Sequence, residues 1–289
     1  MSSLSVSIII PAKNEAEGLA GFLPELRTAY PEAELIVVND GSTDDTAAVA
    51  EQAGARVESH PYSKGNGAAI KSGARAANGE VLLFMDGDGQ HQVRDVARLL
   101  LKIEEGFDLV VGARQGGEGQ ASLARWGANS IYNMFASWMV GHDIPDLTSG
   151  MRAVRRDKFL SFLYLLPNGF SYPTTSTMAF YRAGYSVAFV PIECLQRVGK
   201  SHIKLWRDGT RFLLIIFKIG TLYSPLKLFF PISAGIFLAG LSYYAYTYFS
   251  MGRFTNMSLL LFVSSVIVFL IGLISEQISN LTYKIEQQR

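Results

Sequence analysis

The chain has 289 residues, of which 49% are hydrophobic and 18% are charged, whereas soluble domains carry about 25% charged residues. Its 26 Lys and Arg residues nearly balance 25 Asp and Glu residues, for a net charge of +1. This balance argues against nucleic-acid binding through a broad basic surface. The single cysteine, Cys194, excludes an internal disulfide, so nothing marks the polar part of the chain as extracytoplasmic.

The N-terminal part alternates short β-branched runs with helical patterns. Strands are predicted at residues 6–10, 35–38, 56–59, 81–85 and 109–111, and helices at 46–53, 67–77, 93–105, 122–140, 157–165 and 174–183. This alternation predicts an α/β domain with a parallel sheet that is covered on both faces. Ligands bind beyond the carboxyl ends of the strands in such sheets. Polar clusters follow strands at 11–15, 40–45 and 86–90.

The segment Asp86-Gly87-Asp88-Gly89-Gln90 directly follows the apolar strand at 81–85. Two carboxylates and an amide oxygen leave one strand end together, and hard oxygen ligands of this kind suit Mg²⁺ or Mn²⁺. A calcium-binding EF-hand loop is excluded, because His91 and Ala97 stand where Gly and Glu are required. The alternative is a turn whose aspartates cap the next helix.

Asp40 also follows a predicted buried strand. Its carboxylate could accept hydrogen bonds from a nucleobase or a ribose, and the alternative is a turn with a helix N-cap at residues 42–45. Further along, Ile70 stands where both a Walker A motif and a G-x-G-x-x-G motif require glycine. The sequence therefore supports neither an NTPase nor a dinucleotide-dependent oxidoreductase.

The C-terminal part predicts a membrane anchor. Residues 228–252 and 254–275 carry no charged side chain, and about 20 apolar residues span a bilayer. Basic residues before them, at positions 204, 207, 211 and 218, share one helical face, which predicts an interfacial helix, with a helix packed on the domain as the alternative. The connector at 251–257 carries only Arg253, so the positive-inside rule places the N-terminal domain and both termini in the cytoplasm.

A series of short motifs follows in order along the chain: Ile10-Pro11-Ala12-Lys13-Asn14-Glu15, Val38-Asn39-Asp40-Gly41-Ser42-Thr43-Asp44, Asp86-Gly87-Asp88-Gly89-Gln90, Gly112-Ala113-Arg114, Asp146-Leu147-Thr148-Ser149-Gly150-Met151-Arg152 and Arg197-Val198-Gly199-Lys200-Ser201. Together they resemble the family-2 glycosyltransferases, and more closely the polyprenyl-phosphate branch of dolichol-phosphate mannose synthase-like enzymes. The resemblance covers nearly the whole chain.

The resemblance implies a GT-A nucleotide-sugar fold and inverting transfer of a hexosyl group to dolichyl or undecaprenyl phosphate. GDP-mannose is the favoured donor that it implies, and a UDP-hexose is the second candidate. The site residues that it implies fall into four groups: Pro11, Glu15, Asp40, Asp86, Asp88 and Gln90 on the donor; Asp86, Asp88 and Gln90 on Mg²⁺ or Mn²⁺; Arg114, Arg125, Arg197, Lys200 and Ser201 on the acceptor and phosphates; and Asp88, Arg114 and Asp146 in catalysis. Asp146 and Arg152 would shape the acceptor side.

These predictions give a glycosyltransferase domain at 1–203, an interfacial amphipathic helix at 204–226, two transmembrane helices at 227–280 and a cytoplasmic tail at 281–289. The chain would then be an integral protein of the cell inner membrane. Gly235 and Gly240 lie in the first span, where small residues could pack copies of the chain into a homo-oligomer.

Two other functions stay open at this point. A processive membrane polysaccharide synthase would carry Q-x-x-R-W, but the run that ends in Arg125-Trp126 has Ser122 in place of Gln. The other is a catalytically inactive nucleotide-binding membrane scaffold, against which the intact Asp86, Asp88 and Gln90 argue.

Overall fold

A computed structural model describes residues 4–114, 123–169, 172–194, 217, 220–221 and 223–287. The chain divides into two compact units, Met1–Ile203 and Lys204–Arg289. The first unit contains a sheet with its covering helices, and the second contains two long apolar helices. The functions assigned to segments of the chain from its sequence stay predictions.

Within the described residues, seven strands form one sheet in the order β3-β2-β1-β4-β6-β5-β7. They are β1 (Val6–Ala12), β2 (Glu34–Asn39), β3 (Arg56–Ser59), β4 (Val81–Phe84), β5 (Leu109–Arg114), β6 (Arg152–Arg155) and β7 (Val187–Ile192). The pairs β1–β2, β1–β4, β2–β3 and β5–β7 are parallel. The predicted α/β fold class is confirmed, and its first five strands lie where the β-branched runs indicated.

Helices cover both faces of this sheet. They are α1 (Ala16–Ala29), α2 (Thr46–Gln52), α3 (Asn66–Ala76), α4 (Val93–Glu104), α5 (Leu123–Val140), α6 (Arg156–Ser161) and α7 (Tyr172–Arg182). Ile8 and Ile10 of β1 belong to one buried cluster with α1 and α4, whereas Gly73 of α3 lies against the side chain of Ile9. Alternate residues of β1 therefore point to opposite faces, and both are buried.

Strand β6 departs from the predicted parallel arrangement. It runs antiparallel between β4 and β5, and Arg152 pairs with Phe84 on one side and with Val111 on the other. The sequence pattern placed residues 146–152 in a loop and marked no strand at β6 or β7. A four-residue strand with an arginine at each end has no apolar run to identify it. The prediction of a parallel sheet was therefore wrong at β6.

The second unit contains α8 (Pro225–Met251) and α9 (Asn256–Gln287). Pro225–Met251 and Asn256–Leu281 are long and apolar enough to cross a membrane, with mean hydropathy of 1.5 and 2.8. A Cβ atom on Gly240 would lie 3.0 Å from Cβ of Leu261, so Gly240 serves contact between the two helices themselves. Among the described residues nothing lies within 4 Å of a Cβ built on Gly235. A homo-oligomer stays a prediction.

Candidate active site

The loop at residues 86–90 follows β4 and lies against the ends of β1 and α1. A Cβ atom on Gly18 of α1 would lie 2.5 Å from the carbonyl oxygen of Gly87, and one on Gly87 would lie 3.2 Å from the carbonyl oxygen of Pro11. Backbone therefore packs on backbone at both places. Helix α1 approaches the loop this closely because residue 18 has no side chain.

Asp86 opens this loop, and its side chain is 37% exposed. Its Oδ2 accepts a hydrogen bond from Nε2 of His91 at 3.3 Å, and Gly150 lies so close that a Cβ atom there would overlap the carboxylate. Burial by itself raises the pKa of Asp86, but the hydrogen bond from His91 and the charges of His91 and two arginines outweigh it and lower the pKa. The carboxylate is therefore ionised at neutral pH, as a metal ligand must be.

Asp88 and Gln90 lie in the same turn as Asp86. Asp88 is 9% exposed, and its Oδ1 accepts a hydrogen bond from the backbone N–H of Gln90 at 3.2 Å. The three predicted metal ligands therefore lie within one short loop that follows β4. Two carboxylates and an amide oxygen fit Mg²⁺ or Mn²⁺, which proteins usually bind through one or two carboxylates together with substrate phosphates and water. The described residues contain no group of three His, Cys, Asp or Glu side chains that could hold a metal ion.

His91 lies beneath the loop, with its side chain 5% exposed. One ring nitrogen contacts Asp86, and the other, Nδ1, lies 3.9 Å from Sγ of Cys194. Burial by itself lowers the pKa of His91, but the hydrogen bonds to Asp86 and Cys194 outweigh it and raise the pKa. The ring thus connects the start of the candidate metal loop with the chain just past β7.

Arg114, the last residue of β5, forms a bidentate ion pair with Asp146. Its Nε donates to Oδ2 at 2.7 Å and its Nη2 donates to Oδ1 at 2.9 Å, and Nη2 also donates to Oγ1 of Thr148 at 2.6 Å. Burial by itself raises the pKa of Asp146, but Arg114 outweighs it and lowers the pKa. The charge of Arg114 also lowers the pKa of Asp86, so the pair acts electrostatically on the candidate metal loop.

Helix α5 holds the segment that carries Asp146. Asn133 donates from Nδ2 to the carbonyl oxygen of Pro145 at 2.7 Å, and its Oδ1 accepts from the backbone N–H of Leu147 at 3.1 Å. One side chain therefore fixes the backbone on both sides of Asp146, which lets Asp146 keep Arg114 in a single orientation.

Arg152 is completely buried. Its guanidinium donates to the carbonyl oxygens of Ser149 at 2.6 Å and Pro173 at 2.9 Å, and it lies 5.7 Å from the ring centroid of Tyr172. Burial lowers the pKa of Arg152. This buried cation fixes the backbone beside Gly150, the residue that packs on Asp86, and it joins the 146–152 segment to α7.

Asp40 is buried, and both of its oxygens accept hydrogen bonds from one neighbouring loop. Oδ1 accepts from the ring of His60 at 2.7 Å and from the backbone N–H of Lys64 at 2.8 Å. Oδ2 accepts from Oγ of Ser63 at 2.8 Å and from the backbone N–H of Gly65 at 2.9 Å. The carboxylate therefore fixes the 60–65 loop, and its contact with a nucleobase stays a prediction.

The parallel pairing of β1 with β2 brings the other predicted donor residues to the same edge. Pro11 pairs with Val38, and the backbone N–H of Asp40 donates to the carbonyl oxygen of Ala12 at 2.9 Å. The backbone N–H of Glu15 donates to Oγ1 of Thr46 at 3.0 Å. Pro11, Glu15 and Asp40 therefore lie at neighbouring strand and helix ends.

Four of the predicted acceptor residues cannot be placed in this way. Arg197, Lys200 and Ser201 lie outside the described residues, as does the side chain of Arg125. Most of the predicted interfacial helix at 204–226 also falls there. Their roles stay predictions.

The residues that hold the predicted ligands in place were not recognised from the sequence. His91, Gly150 and Cys194 contact Asp86 or one another, and none was assigned a role. Two signals were available, namely the position of His91 directly after Gln90 and the place of Gly150 in the motif at 146–152, whereas Cys194 lies far away along the chain.

Residues 7–162 match the family described as Glycosyl transferase family 2, and residues 224–281 match a GtrB C-terminal hairpin. The chain belongs to glycosyl transferase family 2. It is therefore a glycosyltransferase that ends in a hairpin of two apolar helices.

Named relatives cover most of the glycosyltransferase. Glycosyltransferase AglJ of Haloferax volcanii is 30% identical over 78% of this chain and 75% of its own length. A polyprenol monophosphomannose synthase of Mycolicibacterium smegmatis is 31% identical over 66% of this chain and 77% of its own length. A dolichyl-phosphate hexose transferase of Haloferax volcanii is 29% identical over 74% of this chain and 93% of its own length.

Solved structures share the fold of this glycosyltransferase. Glucosyl-3-phosphoglycerate synthase of Mycobacterium tuberculosis with phosphoglyceric acid has a TM-score of 0.61 and 23% identity, and it covers 76% of this chain and 80% of its own. The same enzyme with Mn²⁺, uridine diphosphate and glucosyl-3-phosphoglycerate has a TM-score of 0.58 and 25% identity over the same shares. The predicted GT-A fold is confirmed.

Proposed function

We propose that this glycosyltransferase moves one hexosyl group from a nucleotide sugar to a polyprenyl phosphate and so forms a lipid-linked monosaccharide. The observation that carries the proposal is the metal loop of Asp86, Asp88 and Gln90 beside the Arg114–Asp146 pair, in a chain that ends in two apolar helices. The names of the polyprenol- and dolichyl-phosphate relatives support the acceptor. GDP-mannose is our favoured donor, and a UDP-hexose is the alternative.

Asp86, Asp88 and Gln90 would hold Mg²⁺ or Mn²⁺ against the diphosphate of the donor. When bound, this cation supplies positive charge that stabilises the departing nucleoside diphosphate. The partly exposed, ionised carboxylate of Asp86 fits this role, and the solved relative that contains Mn²⁺ and uridine diphosphate supports it. Pro11, Glu15 and Asp40 would lie around the nucleoside.

The acceptor needs no strong general base. The second pKa of a phosphate monoester is near 6, so its oxygen is already ionised when it attacks the anomeric carbon. The bond from that carbon to the diphosphate breaks on the opposite face, which inverts the configuration. The harder task is to bring two anionic groups together, and fixed cations make this feasible.

Arg114 is the described cation best placed for this task. Asp146 fixes its guanidinium in one orientation, and a preorganised charge costs no reorganisation during the reaction. Arg125, Arg197, Lys200 and Ser201 would complete the phosphate contacts. Asp146 acts in this scheme by holding Arg114.

The acceptor headgroup stays at the membrane surface, so the enzyme needs an anchor there. We propose that α8 and α9 span the cell inner membrane and that an interfacial helix at 204–226 precedes them. The catalytic domain and both termini then face the cytoplasm, as the basic flanking residues predict.

A donor panel tests the proposal. Membranes that contain the full-length chain are given GDP-mannose, UDP-glucose or UDP-N-acetylglucosamine with undecaprenyl or dolichyl phosphate, and products are identified by mass spectrometry. We expect one donor to give a lipid phosphate that carries a single sugar. A polymer would instead indicate a polysaccharide synthase, and nucleotide binding without transfer from any donor would indicate a scaffold.

A further inference from the structure

His91 directly follows the loop that carries the three predicted metal ligands. Its ring points back under the loop and is almost completely buried, with Nε2 3.3 Å from Oδ2 of Asp86. Its other nitrogen lies 3.9 Å from Sγ of Cys194. The side chain therefore contacts a predicted ligand without being one itself.

Gly150 also restricts the position of the Asp86 carboxylate, from a different side than His91. Any side chain at position 150 would overlap that carboxylate, and the backbone next to it is held by the buried guanidinium of Arg152 through the carbonyl oxygen of Ser149. Asp86 thus has a hydrogen-bond donor on one side and close backbone on the other, which together restrict the rotation of its side chain.

We infer that His91 is a positioning residue that holds Oδ2 of Asp86 and so directs Oδ1 toward the divalent cation. Cys194 supports the ring from behind. This inference rests on the proposed function, because it takes Asp86 as a metal ligand. Partners that orient metal ligands in this way typically change metal affinity by about 10- to 100-fold when they are replaced.

Replacing His91 with Gln or with Asn distinguishes a positioning role from a role in filling space. Each of these amide side chains can place its nitrogen near one of the two ring nitrogens of histidine. In His91→Gln the amide nitrogen falls near the position of Nε2 and can still donate to Asp86. In His91→Asn the amide nitrogen falls near Nδ1, so the contact with Asp86 is lost. Both variants are polar and smaller than histidine, so a filling role predicts similar effects for the two.

The test measures Mn²⁺ binding directly, with the full-length chain in detergent and with saturating GDP or UDP, from the electron paramagnetic resonance signal of unbound Mn²⁺. We expect the dissociation constant for Mn²⁺ to rise about tenfold or more in His91→Asn and less than about threefold in His91→Gln. His142→Asn, at an exposed histidine that stacks on Tyr181, is the matched control and should bind Mn²⁺ like the wild type. Thermal unfolding without metal shows whether each variant folds.

Equal affinities in His91→Asn and the wild type would overturn the inference, and so would equal losses in His91→Asn and His91→Gln. If His91→Asn does not fold, His91→Met takes its place, because methionine fills the space without a donor. If the wild type binds no Mn²⁺ with either nucleotide, the metal site itself is wrong and the proposed function falls with it. If the wild type binds Mn²⁺ and the His91 variants bind it equally well, only the positioning role of His91 is ruled out.

Discussion

Asp146 holds Arg114 through two hydrogen bonds of 2.7 and 2.9 Å, between a buried carboxylate and a guanidinium at the end of β5. The pair joins the last residue of β5 to a segment that α5 fixes from the other side through Asn133. The orientation of the Arg114 guanidinium is therefore set by the fold before any substrate binds.

Replacing Asp146 should lower both the stability of the fold and the rate of sugar transfer. Asp146→Asn keeps the shape but removes the charge, and it leaves a partly buried guanidinium without its counterion. Loss of one partner from a fully buried pair costs about 3–5 kcal/mol, and because Arg114 is 32% exposed we expect about 2 kcal/mol, or about 4–8 °C in Tm. Thermal unfolding and a transfer assay measure the two effects.

Asp143→Asn is the control for this change, since Asp143 lies exposed in the same segment. It should leave Tm and transfer close to wild-type values. Equal behaviour of the two variants would show that the Arg114–Asp146 pair orients nothing.

Asp40 should contribute to stability at neutral pH and lose that contribution in acid. Burial by itself raises its pKa, but hydrogen bonds from His60, Lys64, Ser63 and Gly65 lower it from 3.8 to about 2. A carboxyl whose pKa is lower in the folded state stabilises above its unfolded pKa, here by about 2 kcal/mol, and this is lost as pH falls from about 4 through 2.

Asp40→Asn measures this contribution when Tm is followed from pH 7 to pH 3. The variant should be less stable than the wild type at pH 7, and roughly half of the charge-dependent difference should remain at pH 3. Asp45→Asn, at an exposed position of the same segment, is the control for the substitution itself and should have a Tm close to that of the wild type at pH 7. A difference in Tm between Asp40→Asn and the wild type that does not change with pH would contradict the lowered pKa of Asp40.

The close packing of α1 on the loop at residues 86–90 gives a matched pair of glycine variants. In Gly18→Ala the new Cβ atom meets the carbonyl oxygen of Gly87 at 2.5 Å, whereas in Gly21→Ala it meets nothing within 4 Å among the described residues. Gly18→Ala should lower Tm and weaken Mn²⁺ binding. Gly21→Ala should raise stability by about 0.5–1 kcal/mol through better helix propensity. Unchanged Mn²⁺ binding in Gly18→Ala would mean that α1 does not position the loop.

Patterns in the sequence predicted where the strands before the site residues end, but not which other residues hold those site residues in place. The apolar runs of β1, β2 and β4 predicted where Asp40 and Asp86 emerge, because side chains buried on both faces mark a strand directly. Arg152 could not be predicted as a core residue, since it is buried only because β6 inserts between β4 and β5 and because distant carbonyl oxygens satisfy its guanidinium.

The contact between His91 and Cys194 could not be predicted from the sequence either. They are 103 positions apart, and only the end of β7 brings the thiol to the ring. Local patterns report which side chains are apolar and at what spacing, whereas a contact of this kind depends on the order of strands in the sheet.

Asp88 should be indispensable for turnover. Asp88→Ala removes one of the two carboxylates that we assign to the cation, and we expect transfer to fall by at least about 100-fold with a smaller effect on folding. Asp157→Ala, at an exposed carboxylate in the first turn of α6, is the control and should be as active as the wild type. Activity of Asp88→Ala close to that of the control would remove Asp88 from the site.

Metal-dependent transfer to a lipid phosphate tests the account most directly. The full-length chain in bilayers receives its radiolabelled donor sugar and undecaprenyl phosphate, with and without EDTA, and label that passes into chloroform is counted. The account predicts a chloroform-soluble product that disappears with EDTA and returns when Mg²⁺ or Mn²⁺ is added in excess. Label that enters chloroform equally with EDTA, or that stays in water under every condition, would contradict it.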